Sequence, residues 1–266
     1  AGVDKNWEAR FLMRVMELAN EECCFELGSI CVDYVRMHKD EEEIELMRKA
    51  SQLNDQAIDQ VIQLCAKGTL TEKEVGQQLN GIFQSLGCSG NSFDPIVGYG
   101  PNGADGHHGC DDSKLKPGDS IVIDMGGIYQ GYCSDMTRTV FYKEVSDKQR
   151  EVYELVKKAN EAAEAMIKPG VKLCDIDKTA RDIISEAGYG PNFNHRLGHF
   201  IGRDVHEYGD VSAAFDMEVE PGMIFSIEPG IYIQGEFGVR IEDLVLVTED
   251  GCEVLNHYSK DLMIIG

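Results

Sequence analysis

The chain has 266 residues, 42% of them apolar, and its 47 acidic against 25 basic side chains give a formal charge of -22 at pH 7. That length can bury the core of one large domain or two small ones, and a field of that sign repels phosphate backbones and attracts cations, so nucleic acid is not an expected partner. No run approaches the roughly 20 apolar residues of a membrane span, and the opening AGVDKNWEAR lacks the charged-then-apolar pattern of a secretion signal, so no membrane partner is expected either.

In chain order, residues 40–66 carry apolar positions at three-to-four spacing with charges between them, the pattern of a long amphipathic helix whose acidic start, DEEEIE, is a solvated face. Lys67-Gly68 breaks it, and TEKEVGQQLNGIFQSLG predicts a second helix that begins at a Thr cap and ends at Gly87. β-Branched and aromatic runs bounded by glycine follow, as in strands and hairpins. The pattern then repeats, with a helix over 147–168 closed by Pro169-Gly170, a second in CDIDKTARDIISEAG ending at Gly188, and strands again. LKPGDSIVID and VEPGMIFSIE align without a gap, leading in seven steps from Pro117 to Asp124 and from Pro221 to Glu228. Each continues through a glycine turn to another acid, Gly131 standing four before Asp135 and Gly238 four before Glu242. The expected fold is α+β: two helix-helix-hairpin halves sharing one antiparallel sheet, with helices on its outer side. Nine cysteines without a CxxC pair predict free thiols in a reducing, cytoplasmic compartment, and Cys133 reads as a packed core thiol.

The duplication sets four acids at equivalent points. With Tyr129 and Gln130 as the central turn residues, Ile128 pairs with Gly131 and Asp124 falls directly opposite Asp135. A three-residue loop Gln234-Gly235-Glu236 likewise puts Glu228 opposite Glu242. Cross-strand partners have Cβ atoms about 4.5 to 5.5 Å apart, and like charges there are destabilising. Asp124 follows SIVI and Glu228 follows MIFSI, strands that read as buried, where an uncompensated carboxylate pair must take up protons or unfold the sheet. Divalent cations remove that conflict, and carboxylates so arranged can bridge two of them about 3.5 to 4 Å apart, as in two-metal hydrolases. Imidazole usually joins such a site, and NHRLGHFIGRDVHE offers His195, His199 and His206 between the hairpins; spacing does not choose among them.

The blocks IDMGGIYQGYCSDMTRT, HRLGHFIGRDVHE, FSIEPGIYI and GVRIED resemble, in order and wording, the catalytic domain of the metallopeptidases that act on Xaa-Pro bonds, aminopeptidase P and prolidase, over residues 40–266. The resemblance implies the pita-bread fold, a duplicated α+β domain with a strongly curved antiparallel sheet. It implies Asp124 as ligand of one metal, Asp135 and Glu242 as bridging ligands, and His199 and Glu228 as ligands of the other. Glu228 would also shuttle the proton. His107, which lies seventeen residues before Asp124 and is chosen over His108 for that reason, and His206 would bind substrate and stabilise the tetrahedral intermediate, while His195 and Arg240 would contact substrate around the proline side.

Two divalent ions are implied, manganese first, with cobalt, zinc or iron as substitutes. So are a proline-containing peptide substrate and a homodimer of the full-length protein. By the same resemblance residues 1–39 would be the tail of a separate N-terminal domain, and the step of fourteen from Glu228 to Glu242 is a shorter hairpin than in some members of that family. Methionine aminopeptidase shares the fold and ligands, but the HRLGHFIGRDVHE and FSIEPGIYI wording favours the proline-directed branch. Retention of all five ligands argues against metal-free, creatinase-like hydrolysis and against a non-catalytic pita-bread module that only binds peptides.

Overall fold

The computed structural model describes residues 1–20 and 22–266. The leading segment forms β1 (Gly2–Val3), α1 (Ala9–Leu18), β2 (Glu26–Leu27) and α2 (Ser29–Met37), with β1 and β2 paired in parallel. None of the α1 side chains is buried, whereas α2 is tied to the body by Arg36, which donates to Asp204 and Glu207 at 2.7 and 2.6 Å.

The first half then begins with α3 (Glu41–Ala66), whose acidic start is a capping box: Glu43 N–H donates to the Asp40 side chain, and the Glu43 carboxylate accepts from Asp40 N–H. α4 (Glu72–Ser85) repeats the device with Thr71 and Glu74. β3 (Ile96–Tyr99), β4 (Ser120–Met125), β5 (Ile128–Tyr129), β6 (Tyr132–Cys133) and β7 (Met136–Tyr142) follow. The second half repeats the order with α5 (Asp147–Met166), α6 (Leu173–Glu186), β8 (Gly198–His199), β9 (Asp210–Val211), β10 (Ile224–Ile227), β11 (Gly230–Ile233), β12 (Phe237–Arg240) and β13 (Asp243–Val247). β14 (Cys252–Val254) and β15 (Ile264–Ile265) close the chain. The glycines expected to end the four helices, Gly68, Gly87, Gly170 and Gly188, all take positive φ, the left-handed conformation that stops a helix.

The sheet expected to be shared is cut into short ladders at the acidic positions. β15, β7, β4 and β3 form a four-stranded sheet in which only β15 runs parallel to its neighbour, β10, β13 and β14 form a second, and β11 pairs with β12. The halves meet where β7 runs past β12 and β13: Glu242 N–H donates to the Thr137 carbonyl at 3.1 Å, and Arg240 N–H donates to Thr139 Oγ1. Each half has its own apolar core between helices and strands, one around Ile58, Val75, Phe83 and Ile123, the other around Val156, Ile176, Phe225 and Val245.

The first hairpin departs from expectation. Its turn residues are Gln130 and Gly131, at φ 49 and 86, so Tyr129 pairs with Tyr132 and Asp124 with Thr137. Two consecutive positive-φ residues are what a type I′ turn requires, and they match the twist of the flanking strands. Asp135 therefore stands diagonally from Asp124 on the same face, at the ~7 to 8 Å spacing of diagonal neighbours, instead of directly opposite. In the second hairpin Ile233 pairs with Phe237 around Gln234-Gly235-Glu236, and the β10–β13 ladder keeps the same register, which sets Glu228 opposite Glu242.

Candidate metal centre

Side chains from both halves converge where the ladders break. Asp124 is the last residue but one of β4, Asp135 precedes β7, β8 carries His199, Glu228 follows β10, and Glu242 precedes β13. His199 reaches the site because residues 197–199 run beside β10: Glu228 N–H donates to the Leu197 carbonyl, and His199 N–H donates to Ser226 Oγ at 3.0 Å. A Cβ on Gly198 would lie 1.8 Å from the Ser226 carbonyl oxygen, so this approach requires glycine. The ligand atoms of Asp135, His199 and Glu242 all lie within 4.8 Å of one another, and all three residues are buried.

The surroundings fix each group. Thr137 Oγ1 donates to Glu242 Oε2 at 2.7 Å and Ser226 Oγ to Glu228 Oε1 at 3.3 Å. Arg240 Nη2 donates to Asp124 Oδ2 at 2.6 Å, its Nε to Thr137 Oγ1 at 3.0 Å, and its Nη1 to Tyr232 OH at 2.8 Å. Tyr232 OH in turn donates to His195 Nε2 at 2.9 Å, because His195 Nδ1–H is committed to the Arg196 carbonyl. Burial, with Arg240 nearby, lowers His195 to about 3, so it stands neutral. Thr137, Ser226 and Tyr232 were not singled out in the sequence. Only the register shows that Thr137 and Ser226 face the acids and that Tyr232 stands between Arg240 and His195.

The electrostatics of the cage fit divalent cations. Burial first, then neighbouring carboxylates, push Asp135 and Glu242 well above the ordinary carboxylate range, and burial lifts Glu228 to about 7. Oδ1 of Asp124 and Oδ1 of Asp135 are buried without a hydrogen-bond partner. His199 Nδ1–H donates to the Phe200 carbonyl at 3.2 Å, so the Nε2 lone pair is the one that faces Asp135 Oδ2 and Glu228 Oε1, at 3.5 and 3.6 Å. Lone pairs aimed at lone pairs at that range are costly without a cation, and a carbonyl-anchored imidazole among carboxylates is a usual donor set for one.

The electrostatics also predict how the metal-free protein responds to pH. These carboxyl groups hold their protons more tightly folded than unfolded, so the unfolded chain binds fewer protons and stability falls as pH rises from about 4.5 toward 7. The raised Glu228 carboxyl contributes to this loss. Urea unfolding of metal-free protein is expected to show a lower midpoint at pH 7.5 than at pH 5.5, and manganese to abolish the difference.

A cavity of about 1050 Å³ opens onto this cage, lined by His107, His195, His206 and Arg240 on one side and by Phe93, Ile96 and Val205 among its apolar walls. His206 stands edge-on to His199, ring centroids 4.2 Å apart, and is lowered to about 4 chiefly by burial. The ring of His108 also borders the cavity but is tied to Glu72 at 2.7 Å. Arg240 is 2% exposed and holds Asp124 from behind. Cys133, between the two aspartates, is a core thiol: its Sγ lies 3.6 Å from the Arg203 carbonyl, and burial pushes it up to about 12.

The sequence profile of metallopeptidase family M24 matches residues 45–249. The chain belongs to that family. An uncharacterized peptidase of Staphylococcus aureus is 44% identical over 231 residues, 87% of this chain and 66% of that protein, so the chain spans just under two thirds of the length of such curated relatives. Among solved structures, prolidase from Pyrococcus furiosus superposes with a TM-score of 0.90 at 35% identity, covering 97% of this chain and 76% of that one. X-Pro aminopeptidase from Thermotoga maritima superposes at 0.88 and 37% identity, covering 96% and 72%. The α+β architecture is the pita-bread fold of these M24 enzymes. Among the described residues no helix is long and apolar enough to cross a membrane.

Proposed function

We propose that the full-length M24 protein hydrolyses the peptide bond between an N-terminal residue and proline, as an Xaa-Pro aminopeptidase or dipeptidase, with two divalent cations. The observation that carries this reading is the convergence of Asp124, Asp135, His199, Glu228 and Glu242 in the lining of one cavity that also holds four further imidazoles. Similarity to a prolidase and an X-Pro aminopeptidase supports the proline preference. In this reading Asp135 and Glu242 would hold both ions, Asp124 one of them, and His199 and Glu228 the other. Four oxygen donors to one nitrogen suit manganese, with cobalt, iron or zinc as substitutes. Such ions lower the pKa of water toward neutrality and polarise a carbonyl.

The chain's own groups do the rest. Glu228 would take a proton from the attacking water and deliver it to the departing proline nitrogen. His206, neutral at working pH, donates an N–H to the oxyanion as it develops. His107 and His195 border the space for the proline side, and Arg240, through Tyr232, keeps the His195 ring oriented there.

Full-length protein with manganese is expected to cleave Xaa-Pro dipeptides, Xaa-Pro-Yaa peptides or both, and to leave Met-Ala peptides intact. Cleavage of Met-Ala alone would assign the methionine branch. Silence on all of them with metal bound would assign a peptide-binding module. A homodimer in the cytoplasm, acting on proline-containing peptides without nucleic acid or membrane, completes the proposal.

A further inference from the structure

The segment GPNGADGHHGC, residues 100–110, carries glycine at every third position from Gly100 to Gly109, yet it presents His107 to the cavity. A chain so poor in side chains loses much entropy on ordering; its first part is mostly buried, with the Ala104 carbonyl accepting from Gln234 Nε2 at 2.7 Å, whereas Asp105, His107 and Gly109 are exposed. Among the described residues the His107 ring has no hydrogen-bond partner, and only its backbone N–H is tied, to Asp105 Oδ1 at 3.0 Å. Its neighbours must set its place: the Gly106 carbonyl accepts from Arg240 Nη1 at a long 3.4 Å, and the His108 ring is bound at 2.7 Å.

The geometry points to Glu72 as the positioning residue for His107, acting through His108. Glu72 is the first residue of α4 and is 0% exposed. Its Oε1 accepts from Tyr99 N–H at 2.7 Å, just before the glycine-rich stretch, and from Asn102 Nδ2 at 2.9 Å, near its start. Its Oε2 accepts from His108 Nε2 at 2.7 Å, near its end, and from Asp111 N–H at 3.2 Å, just beyond it. One buried carboxylate thus gathers both ends of the segment, and the hold on His108 is next in sequence to the ring that faces the cavity. Charge-assisted bonds to a buried carboxylate are among the stronger ones a loop can have. Glu72, His108 and Asp111 also lie close enough to hold a cation, but both Glu72 oxygens already accept two hydrogen bonds each, which is the pattern of a clamp. The inference rests on the reading of His107 as a substrate contact.

Glu72→Gln would aim amide hydrogens at donors and endanger folding, so the test uses His108 in full-length, manganese-loaded protein. His108→Ala is expected to speed amide exchange across residues 103–110 about tenfold with metal content unchanged. His108→Gln, whose amide can reach the same oxygen, should return it to within about threefold of wild type. In kinetics, His108→Ala should lower kcat/KM on an Xaa-Pro peptide about tenfold when His107 is present and less than about twofold in a His107→Ala background, since the clamp acts through that ring. Unchanged exchange in His108→Ala overturns the clamp. Equal losses in both backgrounds overturn its action through His107. A loosened loop together with a fully active His107→Ala protein overturns the substrate role of His107 itself.

Discussion

Asp135→Asn is expected to abolish binding of both cations and to lower kcat/KM on an Xaa-Pro peptide by roughly 10³-fold or more. Asp135 is 4% exposed, one of its oxygens is buried without a partner, and the other lies 3.5 Å from the lone pair of His199. In the proposed bridging role it would serve both ions, so one substitution would weaken two sites, and an amide offers a single oxygen without charge. The same change removes a buried like charge from the metal-free cage. The variant stripped of metal should therefore be more stable than stripped wild type at pH 7.5, by about 1 to 3 kcal/mol. Elemental analysis of full-length protein checks the first half of the prediction and urea unfolding the second. A variant that keeps wild-type stoichiometry would contradict the bridging assignment.

Glu228→Gln is expected to cut kcat by about 10² to 10⁴-fold with a smaller change in KM, the range for loss of a positioned general acid-base group. The amide keeps one oxygen donor in the cage and a partner for Ser226 Oγ, which in the native chain donates to Glu228 at 3.3 Å. What it cannot do is accept and return a proton. Metal content measured beside the kinetics separates the two roles. A variant that binds metal and retains more than about a tenth of wild-type kcat would remove Glu228 from the proton pathway.

Much of this arrangement could be read from the chain itself. The glycine stops and Thr71 cap mark the helices to within a few residues, because cap chemistry is local and strong. The matched Pro-Gly strands bring four acids to equivalent points because duplication copies register as well as composition. In the second hairpin Glu228 falls opposite Glu242 as the loop length requires. The first hairpin differs by two residues because Gly131 belongs inside the turn, where a type I′ geometry needs it, and Gln130 accepts a positive φ beside it. A glycine in the second central position was the available signal.

The supporting groups were less legible. Thr137 and Tyr232 are ordinary strand residues until strand pairing sets Thr137 against Glu242 and Arg240, and Tyr232 between Arg240 and His195. Glu72 lies thirty-six residues from His108, and nothing local in TEKEVGQ marks one glutamate as buried while its neighbour Glu74 caps the helix in solvent. Long-range partners of buried charges are set by the tertiary fold, which no window of sequence contains.

The central claim is that a buried anionic cage assembled from both halves is held together by cations. Anomalous diffraction from crystals of the full-length protein grown with manganese tests it most directly. The account predicts two peaks enclosed by Asp124, Asp135, His199, Glu228 and Glu242. Saturating manganese with no peak among those side chains, and their carboxyl groups left facing one another, would contradict it.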